Sequence, residues 1–236
     1  WFTVWAPDAA SVAVIGDATG WHDDHRLDPV GSSGLWTGFV QGARVGQSYR
    51  YAVTTKSRHR LEKSDPVGAQ TNEPPSTASV IADLSYSWSD DQWMAGRGAR
   101  TPTAAPISIY EVHLGSWGRH LVEGRRFPRY DELADPIADH VLAHGFTHVE
   151  LLPIMEHPFY GSWGYQTTGY FAPTARYGSP TDLMAMIDRL HQRGVGVILD
   201  WVPSHFPMDP HGLSQFDGTH VYEHADPRQG YHPDWT

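Results

Sequence analysis

The stretch Gly194-Val195-Gly196-Val197-Ile198-Leu199-Asp200-Trp201-Val202-Pro203-Ser204-His205-Phe206 sets a short apolar run against a polar end. Val195, Val197, Ile198 and Leu199 lie between Gly194 and Pro203. The run is too short for a helix and rich in β-branched residues, which predicts a strand buried on both faces. Asp200 stands where the run stops, and His205 follows five residues later. Both therefore fall at the carboxyl end of a predicted parallel strand, where barrel and open α/β enzymes place their working groups.

The residues upstream of this strand repeat its logic. Ser179-Pro180-Thr181-Asp182 predicts a capped helix start, Leu183, Met186, Ile187 and Leu190 form an apolar stripe, and Gly194 closes the helix. Before it, Thr147-His148-Val149-Glu150-Leu151-Leu152 predicts a strand. A helix precedes that strand, with Asp135 as N-cap and Pro136 at its first position, or with a start one turn earlier, Ile137 and Val141 as i,i+4 partners and Gly145 at its end. Ile107 to Leu114 predicts the first strand of the series. Strand, helix, strand, helix, strand in that order requires parallel pairing through right-handed crossovers. The connection from Pro153 to Gly178 is long and crowded with Trp, Tyr, Phe and Gly; loops of that length in compact domains are usually functional.

The N-terminal part follows another pattern. Phe2 to Trp5, Ser11 to Ile15, Leu35 to Val40 and Tyr49 to Val53 are short β-branched and aromatic runs separated by Pro7-Asp8, Gly16-Asp17, Gly31 to Gly34 and Gly46, and Ser79 to Ile81 predicts a last strand. This spacing predicts a β-sandwich. The segment Ala95 to Pro106 is dominated by small residues, Gly and Pro and buries no face, so it reads as a linker. The expected organisation is a sandwich over residues 1–94, a linker over 95–106 and an α/β domain over 107–236.

Composition bounds the partners. The chain has 236 residues, 40% of them apolar, and a formal net charge of −10, which disfavours nucleic acid and anionic membranes because the long-range field repels polyanions. A neutral substrate suits it better. With no cysteine there is no disulfide, thiol nucleophile or Cys-based zinc site, and a reducing cytoplasm is the expected location. No apolar run reaches membrane-spanning length. The chain starts at Trp1 without Met and reaches Thr236 through the polar stretch Gly230 to Trp235, so it is expected to be a piece of a longer protein.

Asp200-Trp201-Val202-Pro203-Ser204-His205-Phe206 resembles the first conserved block of the α-amylase clan (glycoside hydrolase family 13), in the form carried by 1,4-α-glucan branching enzymes. Glu150-Leu151-Leu152-Pro153, Glu156-His157-Pro158, Gly161-Ser162-Trp163-Gly164-Tyr165-Gln166, Phe216-Asp217-Gly218-Thr219 and Tyr222-Glu223-His224 are similar to branching-enzyme segments in the same order. Trp5-Ala6-Pro7, Val14-Ile15-Gly16-Asp17, Trp21 and Asp65-Pro66 resemble the family-48 carbohydrate-binding module, although Ala18-Thr19-Gly20-Trp21 departs from the usual Phe-Asn before the Trp. The resemblance implies an immunoglobulin-like sandwich module followed by the first three βα segments of a (β/α)8 TIM barrel, here truncated. It also implies transfer of a cleaved α-1,4-glucan chain to a 6-hydroxyl with retention, in glycogen biosynthesis, and no cofactor.

The same resemblance implies roles for individual residues. Tyr165 is expected to stack beneath the sugar at the cleavage subsite, His205 to donate to glucose, and Asp200 to act structurally and electrostatically in the site. The nucleophile and acid are expected beyond this chain, so none of its residues is assigned a catalytic role. Gln166, Trp163, Trp201 and His113 are weaker substrate-binding or supporting candidates. Trp21 and Trp36 are candidate glucan platforms, and packing beside the sandwich core is the alternative for each. Glu111, Glu150 and Glu156 show no spacing that selects a carboxylate pair. His205 with His211, His220 or His224 matches no zinc signature, and no metal is expected. Two further readings stay open: a debranching or trehalose-forming hydrolase, which Trp201 to Pro203 disfavours, and a non-catalytic glucan-binding protein, favoured if the native chain ends near Thr236.

Overall fold

The computed structural model describes residues 1–99, 105–118 and 127–231. In chain order its strands are β1 (Phe2–Trp5), β2 (Ala9–Gly16), β3 (Asp28–Pro29), β4 (Leu35–Gly38), β5 (Ser48–Thr55), β6 (Arg60–Lys63), β7 (Ser79–Val80), β8 (Ile109–Val112), β9 (His148–Leu151), β10 (Met155–Glu156), β11 (Gly169–Pro173) and β12 (Gly196–Leu199). The helices are α1 (Asp91–Gly96), α2 (Tyr130–Ala143), α3 (Pro180–Gln192) and α4 (Pro227–Gly230). No described helix is long and apolar enough to cross a membrane.

Contacts among the described residues divide the chain into two compact units. The first comprises Trp1–Asp83, Met155–Ala175 and the chain from Val202 on; the second comprises Leu84–Ile154 and Arg176–Trp201. These units cut the chain at other places than the linker expected from composition. Part of that linker, residues 100–104, and the last five residues of the chain lie outside the described residues.

In the first unit, β1, β4 and β3 form one antiparallel sheet, and β2, β5 and β6, with β7 also on β5, form another. Alternation dictates the inner faces. Phe2 and Val4 of β1 point inward while Thr3 and Trp5 point out, and they share one buried cluster with Val12, Val14, Tyr49, Tyr51 and Val53 of the other sheet. Tyr170, Leu213 and Phe216 complete the same cluster. Burying one such large side chain contributes roughly 1.5–3 kcal/mol, so these distant residues belong to the core in energy as well as position. At Gly16, a Cβ would lie 2.3 Å from the Ser48 carbonyl oxygen, a separation that only glycine permits.

β6, Arg60-Leu61-Glu62-Lys63, carries no apolar alternation and was not expected from the sequence. It forms because β5 offers a free edge and because Arg60 binds both Asp23 (2.7 Å) and Glu62 (2.7 Å) while Arg50 reaches Glu62 (3.1 Å). The long connection after β9 also contains structure that the sequence did not reveal: β10 and β11 pair as an antiparallel ladder.

In the second unit β8, β9 and β12 are parallel and adjacent in that order, with Glu111 beside Glu150 and Val112 beside Leu151. Val112, Val149 and Leu151 bury one face. α3 begins as expected: Ser179 Oγ accepts the Asp182 amide at 3.2 Å and the Asp182 carboxylate accepts the Ser179 amide at 2.7 Å. Its end is a left-handed closure at Gly194 (φ 81°), with Gly194 N–H on His191 O and Val195 N–H on Leu190 O. α2 differs from expectation. It starts at Tyr130, with the Glu132 carboxylate accepting the Arg129 amide (2.9 Å), and Pro136 lies inside it. The buried stripe Tyr130, Leu133, Ile137 and Val141 outweighs the one hydrogen bond that the exposed Pro136 cannot make.

β12 is not buried on both faces as its apolar run predicts. Gly196 is buried, Val197 and Ile198 are half-buried and Leu199 is 45% exposed. Among the described residues β12 has a strand neighbour on one side only, β9, so one edge stays open.

Candidate functional site

Gly161 to Gln166 turns tightly before β11. Trp163 (φ 55°) and Gly164 (φ 92°) take left-handed conformations in succession, the Trp163 amide donates to Tyr160 O, and the Tyr165 amide donates to Ser162 O. The Thr167 hydroxyl binds Gly164 O at 2.9 Å. This double reversal leaves Trp163 56% exposed and holds Tyr165 and Gln166 half-buried.

His205 is brought to the same place. It is only 6% exposed, its Nε2–H donates to the backbone carbonyl of Tyr165 at 2.7 Å, and its Nδ1 lies 3.1 Å from Ser204 Oγ. With Nε2 the donor, a neutral ring takes the Ser204 hydroxyl proton at Nδ1. Tyr170 fixes the backbone from behind, its hydroxyl donating to His205 O at 2.7 Å. Burial pushes the Tyr170 hydroxyl pKa up, which keeps it a neutral donor. His205 thus sets the position of Tyr165, and its outward donor is already engaged by that residue.

Asp200 and His113 belong to the second unit, at carboxyl ends of its parallel strands. The Asp200 amide donates to Leu151 O (3.0 Å), carrying the ladder one residue past β12, and the side chain is half-buried. His113 follows β8, with Nδ1 3.0 Å from Ser116 Oγ, and burial lowers its pKa. Trp201 is 47% exposed.

Of the two candidate platforms, Trp21 is 43% exposed and its indole N–H is held by Asp17 at 3.1 Å. Trp36 is half-buried against the core, with its N–H on Ala6 O at 2.9 Å. No group of three or more His, Cys, Asp or Glu among the described residues is arranged to hold a metal ion.

Several buried polar groups of the first unit have hydrogen-bonding roles that the sequence did not reveal. The Glu156 carboxylate accepts Thr71 Oγ1–H (2.9 Å), Thr174 Oγ1–H (3.2 Å), the Ala175 amide (2.9 Å) and the His157 amide (2.9 Å). It joins three chain segments, around Thr71, His157 and Thr174-Ala175, with no lone pair left for a reaction. Asp217 accepts the Asp8 amide (2.8 Å) and both N–H and O–H of Thr219 (3.1 and 2.6 Å). Lys63 is 3% exposed and donates to Gly212 O at 3.1 Å; desolvation lowers its pKa to about 8 despite Asp217 nearby. Asp65 accepts the hydroxyls of Tyr49 (2.6 Å) and Tyr51 (3.3 Å), and burial raises its pKa. Glu156 and Asp217 follow Met155 and Phe216 as single charges beside apolar residues, whereas Lys63 and Asp65 lie in the charged run Arg60 to Asp65 and carry no such signal.

The family model for carbohydrate-binding module 48 (isoamylase N-terminal domain) matches residues 1–68, and that for the α-amylase catalytic domain matches residues 139–227. The chain therefore carries a stretch similar to a carbohydrate-binding module followed by a stretch similar to an α-amylase catalytic domain. It is 55% identical over 237 residues to the 1,4-alpha-glucan branching enzyme GlgB of Albidiferax ferrireducens, covering 99% of this chain and 37% of that protein. The GlgB of Aromatoleum aromaticum is 56% identical (99% and 37% covered), and that of Gloeobacter violaceus 52% (100% and 32%). The chain is thus similar to 1,4-α-glucan branching enzymes over nearly all of its own length, and it spans about a third of the length of these relatives. A solved structure assigned as an alpha amylase of Salmonella typhimurium has a similar fold, with a TM-score of 0.70, 24% identity and coverage of 90% of this chain and 33% of that one.

Proposed function

We propose that this chain supplies the N-terminal glucan-binding module and the first part of the catalytic barrel of a 1,4-α-glucan branching enzyme. The observation that carries this reading is whole-chain identity above half to such enzymes, together with the built contact between Tyr165 and His205. In it, residues 1–94 are a β-sandwich module, 95–106 a linker and 107–236 the opening βα segments of a (β/α)8 barrel. The two antiparallel sheets over one core and the three adjacent parallel strands support that architecture. The substrate is an α-1,4-glucan, and the protein works in the cytoplasm, which suits a chain without cysteine.

The chemistry is retaining transfer. A carboxylate attacks the anomeric carbon and breaks the α-1,4 bond, a carboxylic acid protonates the leaving oxygen, and the glycosyl-enzyme ester is then opened by a glucan 6-hydroxyl, whose proton returns to that acid. In this reading Tyr165 stacks on the sugar, His205 releases the Tyr165 carbonyl and turns its Nε2–H to the substrate as charge develops, and Asp200, Gln166 and Trp163 line the site. Glu156 serves structure and not attack, because four donors fill it.

The test is a branching assay on amylose, reading loss of iodine staining and new α-1,6 links. The complete enzyme should branch amylose, and this chain alone should not. Turnover by the pure chain would refute the placement of both catalytic carboxylates elsewhere, and failure of the complete enzyme to make α-1,6 links would refute the branching function.

A further inference from the structure

Within the first unit lies a cavity of about 170 Å3, smaller than the about 300–1,000 Å3 of clefts that take drug-sized molecules. It has the capacity for a single ring. The pyrrolidine rings of Pro74, Pro75 and Pro158 contribute apolar wall, and Ser76, Thr77 and His211 contribute polar edge. No part of it includes Tyr165 or His205.

The wall selects against charge. Its two carboxylates, Glu156 and Asp65, have their oxygens occupied by hydroxyl and amide donors. A cation would have to compete with those donors, and an anion would face two negative groups. What remains is a small neutral set. The His211 ring makes no hydrogen bond among the described residues, and burial pushes its pKa down, so it presents one N–H donor and one N acceptor near neutral pH. Ser76 Oγ accepts from Asn72 Nδ2 (3.3 Å) and Thr77 Oγ1 accepts from Arg50 (2.7 Å). Each hydroxyl keeps its own proton to donate. Apolar ring faces beside groups that both donate and accept match a pyranose, whose C–H face is apolar and whose rim hydroxyls need both roles. A flat apolar ring would leave the imidazole and hydroxyls without partners, which costs affinity.

We propose that this cavity is an accessory subsite for one glucosyl residue of an α-glucan, seated on the prolines and bonded to His211, Ser76 and Thr77. It rests on the glucan reading above and adds to it a second place of attachment, separate from Tyr165 and His205.

The experiment titrates this chain with glucose and maltotriose, following the histidine imidazole NMR signals, with that of His211 identified by its loss in His211→Gln. Saturable movement of the His211 signal is expected. Ser76→Trp, which fills the cavity, should abolish binding there. His211→Gln should weaken it about tenfold, the loss expected for one hydrogen bond, as read from the perturbed amides of Ser76 and Thr77. Tyr165→Ala should leave the His211 response unchanged. If Ser76→Trp fails to fold, the His211→Gln titration carries the test alone. Maltotriose binding that leaves His211, Ser76 and Thr77 unmoved would overturn the subsite while the branching reading stands. Absence of all sugar binding would also overturn it, and the branching assay of the complete enzyme decides separately whether the glucan reading falls with it.

Discussion

Replacing Glu156 by alanine should unfasten a junction of three chain segments. Its carboxylate is 6% exposed and accepts four hydrogen bonds, from Thr71, His157, Thr174 and Ala175. Bonds to a charged acceptor contribute about 1.5–3 kcal/mol each when taken singly, and a buried donor left without a partner costs about 1–3 kcal/mol. The hydroxyls of Thr71 and Thr174 can turn to other acceptors or water, but the amides of His157 and Ala175 are fixed by the backbone. Two fixed orphan donors, partly relieved by water entering the adjacent cavity, give an expected loss of about 3–5 kcal/mol. Glu156→Gln keeps one acceptor oxygen but turns an NH2 toward the other donors, so about half that loss is expected. Urea denaturation followed by tryptophan fluorescence measures the total, and hydrogen exchange at the Ala175 and His157 amides localises it. Those two amides should lose protection in the alanine variant before the strands of the N-terminal sheets do. If Glu156→Ala changes stability by less than about 0.5 kcal/mol, the range of ordinary surface substitutions, then Glu156 does not hold the three segments together.

Three other outcomes are expected. Lys63 has a folded pKa of about 8, below its unfolded value of 10.5; the unfolded chain then binds more protons between these pH values, and stability relative to Lys63→Met should rise by about 3 kcal/mol from pH 8 to pH 10.5. A flat difference in denaturation curves across that window would refute the buried ammonium. Gly194→Ala meets no atom within 4 Å but must adopt φ 81°, so it should cost about 1–2 kcal/mol from backbone strain alone, measured as a shift in the denaturation midpoint. In the complete enzyme, His205→Ala should lower kcat about 10²–10³-fold with a smaller change in KM for long glucan; equal losses in binding and rate would show that it only shapes the loop.

Much of this fold was legible because local signals agreed with one another. At α3 the cap Ser179, the reciprocal Asp182, Pro180 and the closing Gly194 all sit where the apolar stripe needs them. α2 was misread at its start because Asp135-Pro136 imitates a helix beginning, while the true cap, Arg129 with Glu132, has no distinctive residue at the cap position. β6 was invisible because a charged strand has no period to read; it exists through its edge partner and its ion pairs. Resemblance marked Tyr165 and His205 as candidates, but not that the histidine N–H would meet the tyrosine carbonyl. The bond between Thr71 and Glu156 joins residues 85 positions apart, and no local pattern encodes such a pairing.

The first unit is discontinuous along the chain, and this has a consequence for its birth on the ribosome. Its sheets are drawn from residues synthesised well before the rest of their core, which needs Tyr170, Leu213 and Phe216. The Asp8 amide waits for a carboxylate 209 residues later, and Lys63 for a carbonyl 149 residues later. At about 5–20 residues per second of synthesis, the early strands spend on the order of ten seconds without the groups that cover them. During that interval Val12, Val14, Tyr51 and Val53 form an incompletely covered surface, and a chaperone acting on the nascent chain would find its target there before Phe216 has left the exit tunnel.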